Sequence, residues 1–166
     1  MIRPALIVIG ALVALFLLVV SIGWMLPVAH RATRSATFDA TPSEVFALIA
    51  GFQDYPGWRS DVTRVEILSE RDPLRFREHG SQGAIAYEMV ERQPDRRMVV
   101  RIVDQGLPYG GQWTYEVLPE AAGTTLRITE DGEVYNPVFR FMSRFVFGHT
   151  RTLKNYLRDA GAALRG

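Results

Sequence analysis

The groups in this chain that could do chemistry are few, and none stands in a spacing that by itself defines a reaction. Its three histidines are His30, His79 and His149. They fall in a link, a turn and a C-terminal helical stretch, and no interval among them suits a metal ion. General acid or base work needs a partner within hydrogen-bond reach, and none is visible along the chain for His149. Glu130, Asp131 and Glu133 form an acidic group just ahead of the last helical stretch, where negative charge favours the positive end of a helix dipole. A sharper alternative pairs Glu130 or Glu133 with Arg127 or Arg140 at the mouth of a cavity, with a proton affinity shifted by burial. The chain has 0 Cys, which removes thiolate nucleophiles, disulfides and cysteine metal sites. Phosphate-cradling glycine loops, nucleophile elbows and paired-carboxylate motifs do not occur in it. Neither a metal nor a cofactor is expected.

The larger signal is aromatic. Trp58, Tyr87, Trp113, Tyr115, Phe141 and Phe145 fall on strand or helix faces that should point inward. Tyr87 alternates with Ile85 and Met89, and Trp113 with Tyr115 and Val117. Any one of these rings could simply fill a core, since Trp and Tyr bury much area and keep one polar tip. Taken together they predict an apolar pocket, with Glu130 as its charged member and few other polar groups.

The elements that would position them can be read from periodicity. Arg31 to Asp39 alternates as a first strand. Thr41 then offers an N-cap, Pro42 the first helical position and Glu44 the capping-box partner. The helix that follows carries Val45, Phe46, Leu48 and Ile49 inward, and Gly51 ends it. A short helix over Phe52 to Tyr55 precedes the breaker Pro56-Gly57-Trp58.

From Asp61 the period changes to two. Strands are predicted near Val62 to Leu68, Leu74 to Glu78, Ala84 to Arg92, Met98 to Asp104, Gln112 to Leu118 and Thr124 to Glu133. Turn chemistry separates them, including Gly110-Gly111. Such a succession makes an antiparallel meander. Helical spacing returns over Pro137 to Leu164, predicted as one long helix in which Phe141, Phe145, Thr152, Leu153 and Tyr156 recur at three-to-four spacing. The fold class is α+β: a curved antiparallel sheet covering its apolar face with that helix.

Ahead of this body lies a different kind of segment. From Pro4 to Ala29 there is no charged residue, and Leu, Ile, Val and Phe predominate. About 26 helical residues span roughly 39 Å, against a hydrocarbon core of about 30 Å. The apolar run is longer than that of a cleaved signal peptide, so a single-pass anchor is expected, with Trp24 at headgroup level. The division predicted is residues 1–31 as anchor and 32–166 as the domain. Arg3 on one flank and Arg31 with Arg34 on the other leave the positive-inside rule nearly tied, so the side of the membrane stays open.

Charge argues against nucleic acid. Lys and Arg total 19 against 18 Asp and Glu, without the clustered basic excess that a nucleic-acid binder carries. The basic residues of the last helical stretch, Arg140, Arg144, Arg151, Lys154, Arg158 and Arg165, read either as a solvated face or as contacts to anionic headgroups.

Four stretches in order give the body a familiar outline: Ala40-Thr41-Pro42-Ser43-Glu44-Val45-Phe46; Tyr55-Pro56-Gly57-Trp58; Gly111-Gln112-Trp113-Thr114-Tyr115-Glu116-Val117; and Thr129-Glu130-Asp131-Gly132-Glu133 leading into Asn136-Pro137. With them the chain resembles the START/Bet v1-like (SRPBCC) superfamily, in its polyketide cyclase/dehydrase-like branch. The resemblance implies a helix-grip fold, a sheet wrapped around a long helix with an apolar cavity between them. Across the superfamily such cavities serve lipids, polyketides, quinones or hormones, in carriers and enzymes alike, so the scaffold implies no single reaction.

Two functions follow as expectations. The first is a membrane-tethered binding or carrier protein for a hydrophobic small molecule or lipid. The second is a cyclase or dehydratase-type enzyme acting in the same cavity, for which Tyr87, Tyr115, Glu130 and His149 are the available polar groups. A platform for a protein partner, with a vestigial pocket, is a third.

Overall fold

The computed structural model describes residues 2–148 and 150–165. A first helix, α1 (Ile2–Met25), leads into a sheet of seven strands. The strands are β1 (Ala29–Phe38), β2 (Val62–Ser69), β3 (Arg75–Gly80), β4 (Gly83–Gln93), β5 (Arg97–Ile102), β6 (Tyr109–Glu120) and β7 (Gly123–Val134). Their order is β1-β7-β6-β5-β4-β3-β2, every neighbouring pair antiparallel. Between β1 and β2 come α2 (Pro42–Ala50), a 3-10 turn (Phe52–Asp54) and α3 (Tyr55–Trp58). After β7 come α4 (Pro137–Met142), a π turn (Ser143–Phe147) and α5 (Arg151–Ala163). This is the helix-grip arrangement, with an apolar helix in front.

Helix α2 forms where the capping box predicts. The Thr41 hydroxyl accepts from the Glu44 amide at 3.3 Å, and the Glu44 carboxylate accepts from the Thr41 amide at 2.7 Å. Val45, Phe46 and Ile49 are its buried face. The meander keeps its period: Phe76, Ile85, Tyr87, Met98, Val100, Tyr115, Val117, Leu126 and Ile128 point into one continuous core. That core is closed by Leu153, Tyr156, Leu157 and Ala160 of α5. The outer face is tied by ion pairs, with Glu88 taking Arg75 at 2.7 Å and Arg101 at 3.0 Å from the strands on either side.

Two expectations about elements change. Gly110 and Gly111 do not make a turn. They pair with Glu133 and Gly132 of β7, so β6 begins at Tyr109 and the loop lies ahead of it. The predicted long C-terminal helix is also interrupted: α4 passes into the π turn and stops at Gly148, whose φ of 70° no right-handed helix accepts. His149, just beyond that break, lies outside the described residues. Strand β1 starts at Ala29, so residues 29–31 already pair with Glu133, Gly132 and Asp131.

Helix α1 is long and apolar enough over Pro4–Met25 to cross a membrane. Its last turns are docked on the domain. Gly23 lies so close to the Pro137 carbonyl that no side chain fits between them. Arg140 donates to the Leu26 carbonyl at 3.0 Å and to the Tyr135 carbonyl at 2.9 Å, and its guanidinium carbon stands 5.7 Å from the Trp24 ring centroid.

Candidate functional site

The sheet and α5 leave a cavity of about 350 Å³ between them, within the range of about 300–1,000 Å³ that small-molecule sites occupy. Its walls are apolar or aromatic over Ile85, Tyr87, Val100, Trp113, Tyr115, Ile128, Leu153 and Tyr156. Its mouth lies among the starts of β1, β4 and β6, the ends of β3 and β7, and α4. His30, Gly83, Tyr109, Gly80, Glu133 and Phe139 border it there. Antiparallel pairing brings these strand ends to one end of the sheet, which is also the end where α1 joins.

The polar part of the wall is built from three elements. Arg59 follows α3, Asp61 precedes β2, and Glu78 stands on β3, two residues after the buried Phe76 and therefore on the same inward face. The Arg59 guanidinium donates to both Asp61 carboxylate oxygens, at 3.1 and 2.8 Å, and to Glu78 Oε1 at 2.8 Å. Its carbon lies 4.8 Å from the Tyr55 ring centroid and 5.1 Å from that of Tyr156, which adds cation–π attraction in a largely dry site. Side-chain exposure is 8% for Arg59 and 12% for Glu78. Burial pushes the Glu78 carboxyl above the usual carboxylate range, and the Arg59 charge offsets only part of that. Burial also works against the Arg59 charge, but Glu78 and Asp61 more than compensate, so the guanidinium stays ionised.

Four tyrosines surround this group. The Tyr55 hydroxyl donates to the Ile49 carbonyl at 2.7 Å and lies 3.5 Å from the Tyr156 hydroxyl. Tyr115 packs on Tyr156 with centroids 5.5 Å apart. Tyr87 stacks on Phe76 at 5.4 Å and meets Trp113 edge-on at 5.9 Å. Burial raises all four phenols well above the ordinary tyrosine value, so each remains a neutral donor at physiological pH. Helix α5 is locked to this region by Asp159, which accepts from the Ser60 amide at 2.9 Å and hydroxyl at 2.6 Å, one residue past Arg59.

The structure distributes the residues singled out from sequence unevenly. Tyr87, Trp113, Tyr115 and Glu130 stand on the cavity wall. Trp58 lies behind it, edge-on to Tyr55 and Tyr156 at 5.3 and 5.1 Å, with an indole N–H that meets no acceptor among the described residues. Phe141 and Phe145 pack on each other at 4.9 Å and are not among the cavity-lining residues, whereas Phe139 and Ser143 of the same segment are. The π turn and Gly148 break the helical register that would have set the two rings on one face with Leu153 and Tyr156. Glu130 takes neither Arg127 nor Arg140. It lies 3.5 Å from His30 Nε2 across the β1–β7 pair, while Arg127 faces Glu116 and Arg140 holds backbone carbonyls. The group missed in the sequence is Arg59, Asp61 and Glu78. The in-phase spacing of Phe76 and Glu78 was the available signal for one of the three.

A curved antiparallel sheet gripping a helix over a partly open, partly polar cavity defines a ligand-binding scaffold. The family model for polyketide cyclase / dehydrase and lipid transport matches residues 29–164, and the chain belongs to that family. Among solved structures it is similar to a START superfamily protein from Mycobacterium smegmatis, with 15% identity and a TM-score of 0.67, over 82% of this chain and 97% of that one. It is also similar to the Zhui aromatase/cyclase of a Streptomyces species, at 14% identity and TM-score 0.67, over 82% and 94%. A norcoclaurine synthase from Thalictrum flavum matches at 10% identity and TM-score 0.65, over 83% and 95%. At such identities the likeness is one of fold. No curated protein matches the sequence.

Proposed function

We propose that this protein is a membrane-tethered carrier that holds a hydrophobic small molecule or lipid in the cavity between sheet and α5. Residues 1–31 serve as the anchor, the last three of them also pairing with β7 as the start of β1, and residues 32–166 make up the rest of the binding domain. The observation that carries the reading is the placement of the cavity: its mouth opens at the end of the sheet where α1 joins. A tether of this kind holds the cavity beside a lipid-soluble ligand at high effective concentration. The ligand's apolar body rests on Ile85, Val100, Trp113 and Ile128. Its polar end faces Tyr87 and the Arg59–Glu78 pair, a few oriented polar groups in an apolar site. The charge balance of the chain supports no role for nucleic acid.

The test is mass spectrometry of the full chain purified in mild detergent, with extraction and lipid analysis of what accompanies it. The expected result is a stoichiometric hydrophobic species in the native protein that is lost from Val100→Trp, whose indole would occupy the cavity. An empty native protein, with binding restored by no added lipid, would overturn the reading.

A second reading is a cyclase or dehydratase-type enzyme in the same cavity. One observation favours it: Glu78 is a buried carboxyl with raised proton affinity, close to neutral phenols, a setting suited to general acid or base work. Loss of turnover in Glu78→Gln with ligand retention unchanged would select it over a carrier.

A further inference from the structure

We propose that the α4 and π-turn segment, Pro137–Phe147, is a second membrane-contact surface: it lies in the interface of the bilayer that α1 crosses and forms the side of the mouth through which an apolar ligand passes between lipid and cavity. The inference rests on the reading of α1 as a membrane anchor and adds to it a surface, an orientation and a route.

Three observations converge on this segment. First, Phe139, Phe145 and Val146 are 51%, 60% and 59% exposed. Single exposed apolar side chains are ordinary, whereas a cluster on one short segment marks a contact surface. Arg144 and Arg151 are exposed beside it, and an interfacial element combines apolar side chains with cations in this way.

Second, the segment is continuous with α1. Gly23 abuts Pro137, and Arg140 clamps Leu26 and faces Trp24. Trp24 and Met25, in the last turn of α1, remain largely exposed. Lipids around that last turn therefore reach the flank of α4, and this contiguity favours lipid over a second protein as the occupant. Third, Phe139 and Ser143 border the cavity. Phe139 is thus shared between the exposed apolar surface and the mouth, and a ligand moving past it need not enter water.

The experiment uses the full chain in vesicles of phosphatidylcholine and phosphatidylglycerol. With 0 Cys in the sequence, an environment-sensitive fluorophore can be placed singly at Phe145→Cys, Val146→Cys, Leu15→Cys in α1, or Glu120→Cys at the opposite end of the sheet. Quenching is read with lipids spin-labelled on the acyl chain. The expected result is several-fold stronger quenching at positions 145 and 146 than at 120, together with strong quenching at 15. Strong quenching at 15 with positions 145 and 146 matching 120 would overturn the inference while leaving the anchor in place. Absence of quenching at 15, 145 and 146 alike would remove the anchor and the inference together. Self-association of labels at 145 without lipid quenching would assign the surface to a second copy of the chain, and would overturn the inference as well.

Discussion

Arg59 donates to Glu78 Oε1 at 2.8 Å, joining the residue after α3 to the middle of β3 and placing a buried charge pair in the wall of the cavity. The geometry is held from both sides: Asp61 takes the other edge of the guanidinium, and Tyr55 and Tyr156 cover its faces. A buried pair of this kind adds little net stability over an apolar substitute, but losing one member is costly.

Arg59→Leu therefore destabilises the domain by about 3–5 kcal/mol, because Glu78 is left buried without its counter-charge. The double variant Arg59→Leu with Glu78→Leu recovers most of that loss. Chemical denaturation in detergent micelles checks both, and a double variant no more stable than the single one would contradict the account.

The tyrosine cluster predicts behaviour in alkali. Folded-state values for Tyr55, Tyr87, Tyr115 and Tyr156 are raised by burial. Their contribution is thus present below the unfolded value of about 10 and is lost as pH rises above it. Phenolate absorbance from these rings should appear together with unfolding. Tyr87→Phe, which deletes one such group, should move the alkaline midpoint to higher pH.

Asp159 predicts the acid limb. Burial works to raise its value, but the two Ser60 hydrogen bonds and Arg158 outweigh it and leave Asp159 below the usual aspartate value. Its contribution is present above the unfolded value of about 3.9 and is lost as pH falls through the lower folded value. Asp159→Asn should cost about 1.5–3 kcal/mol at neutral pH, as for hydrogen bonds to a charged group. The difference from the native chain should shrink toward zero in strong acid, as read by denaturation at several pH values.

The dock between α1 and α4 is tested at Gly23. Gly23→Val places a side chain where the Pro137 carbonyl lies, so the helix must separate from α4. The expected outcome is faster amide exchange over residues 138–142, with β4 to β7 unchanged. Unchanged protection in α4 would mean that the contact does not hold that segment.

Much of this was legible along the chain because it depends on local pattern. The uninterrupted apolar run of α1, the Thr41 and Glu44 cap, and the alternation through Tyr87 and Trp113 follow from helix and strand geometry. Gly148 was a local signal too, a glycine within a helical pattern, but the recurrence of Phe141, Phe145, Leu153 and Tyr156 outweighed it. With the break, the first two rings leave the face that the last two share.

The sequence by itself determined the helices and strands whose pattern runs unbroken, the apolar face of each, and that a membrane-length helix precedes a gripping sheet, because these depend on residues within one turn or one strand. The start of β6 and the break at Gly148 it did not determine. Tertiary structure alone decided that Arg59, Asp61 and Glu78 meet, that Glu130 faces His30, and that α1 rests on Pro137. Each of those contacts joins separate elements, and the physical reason is the curvature of the sheet. It brings strand ends and helices that are distant in the chain within hydrogen-bond reach, at spacings that no period along the chain encodes.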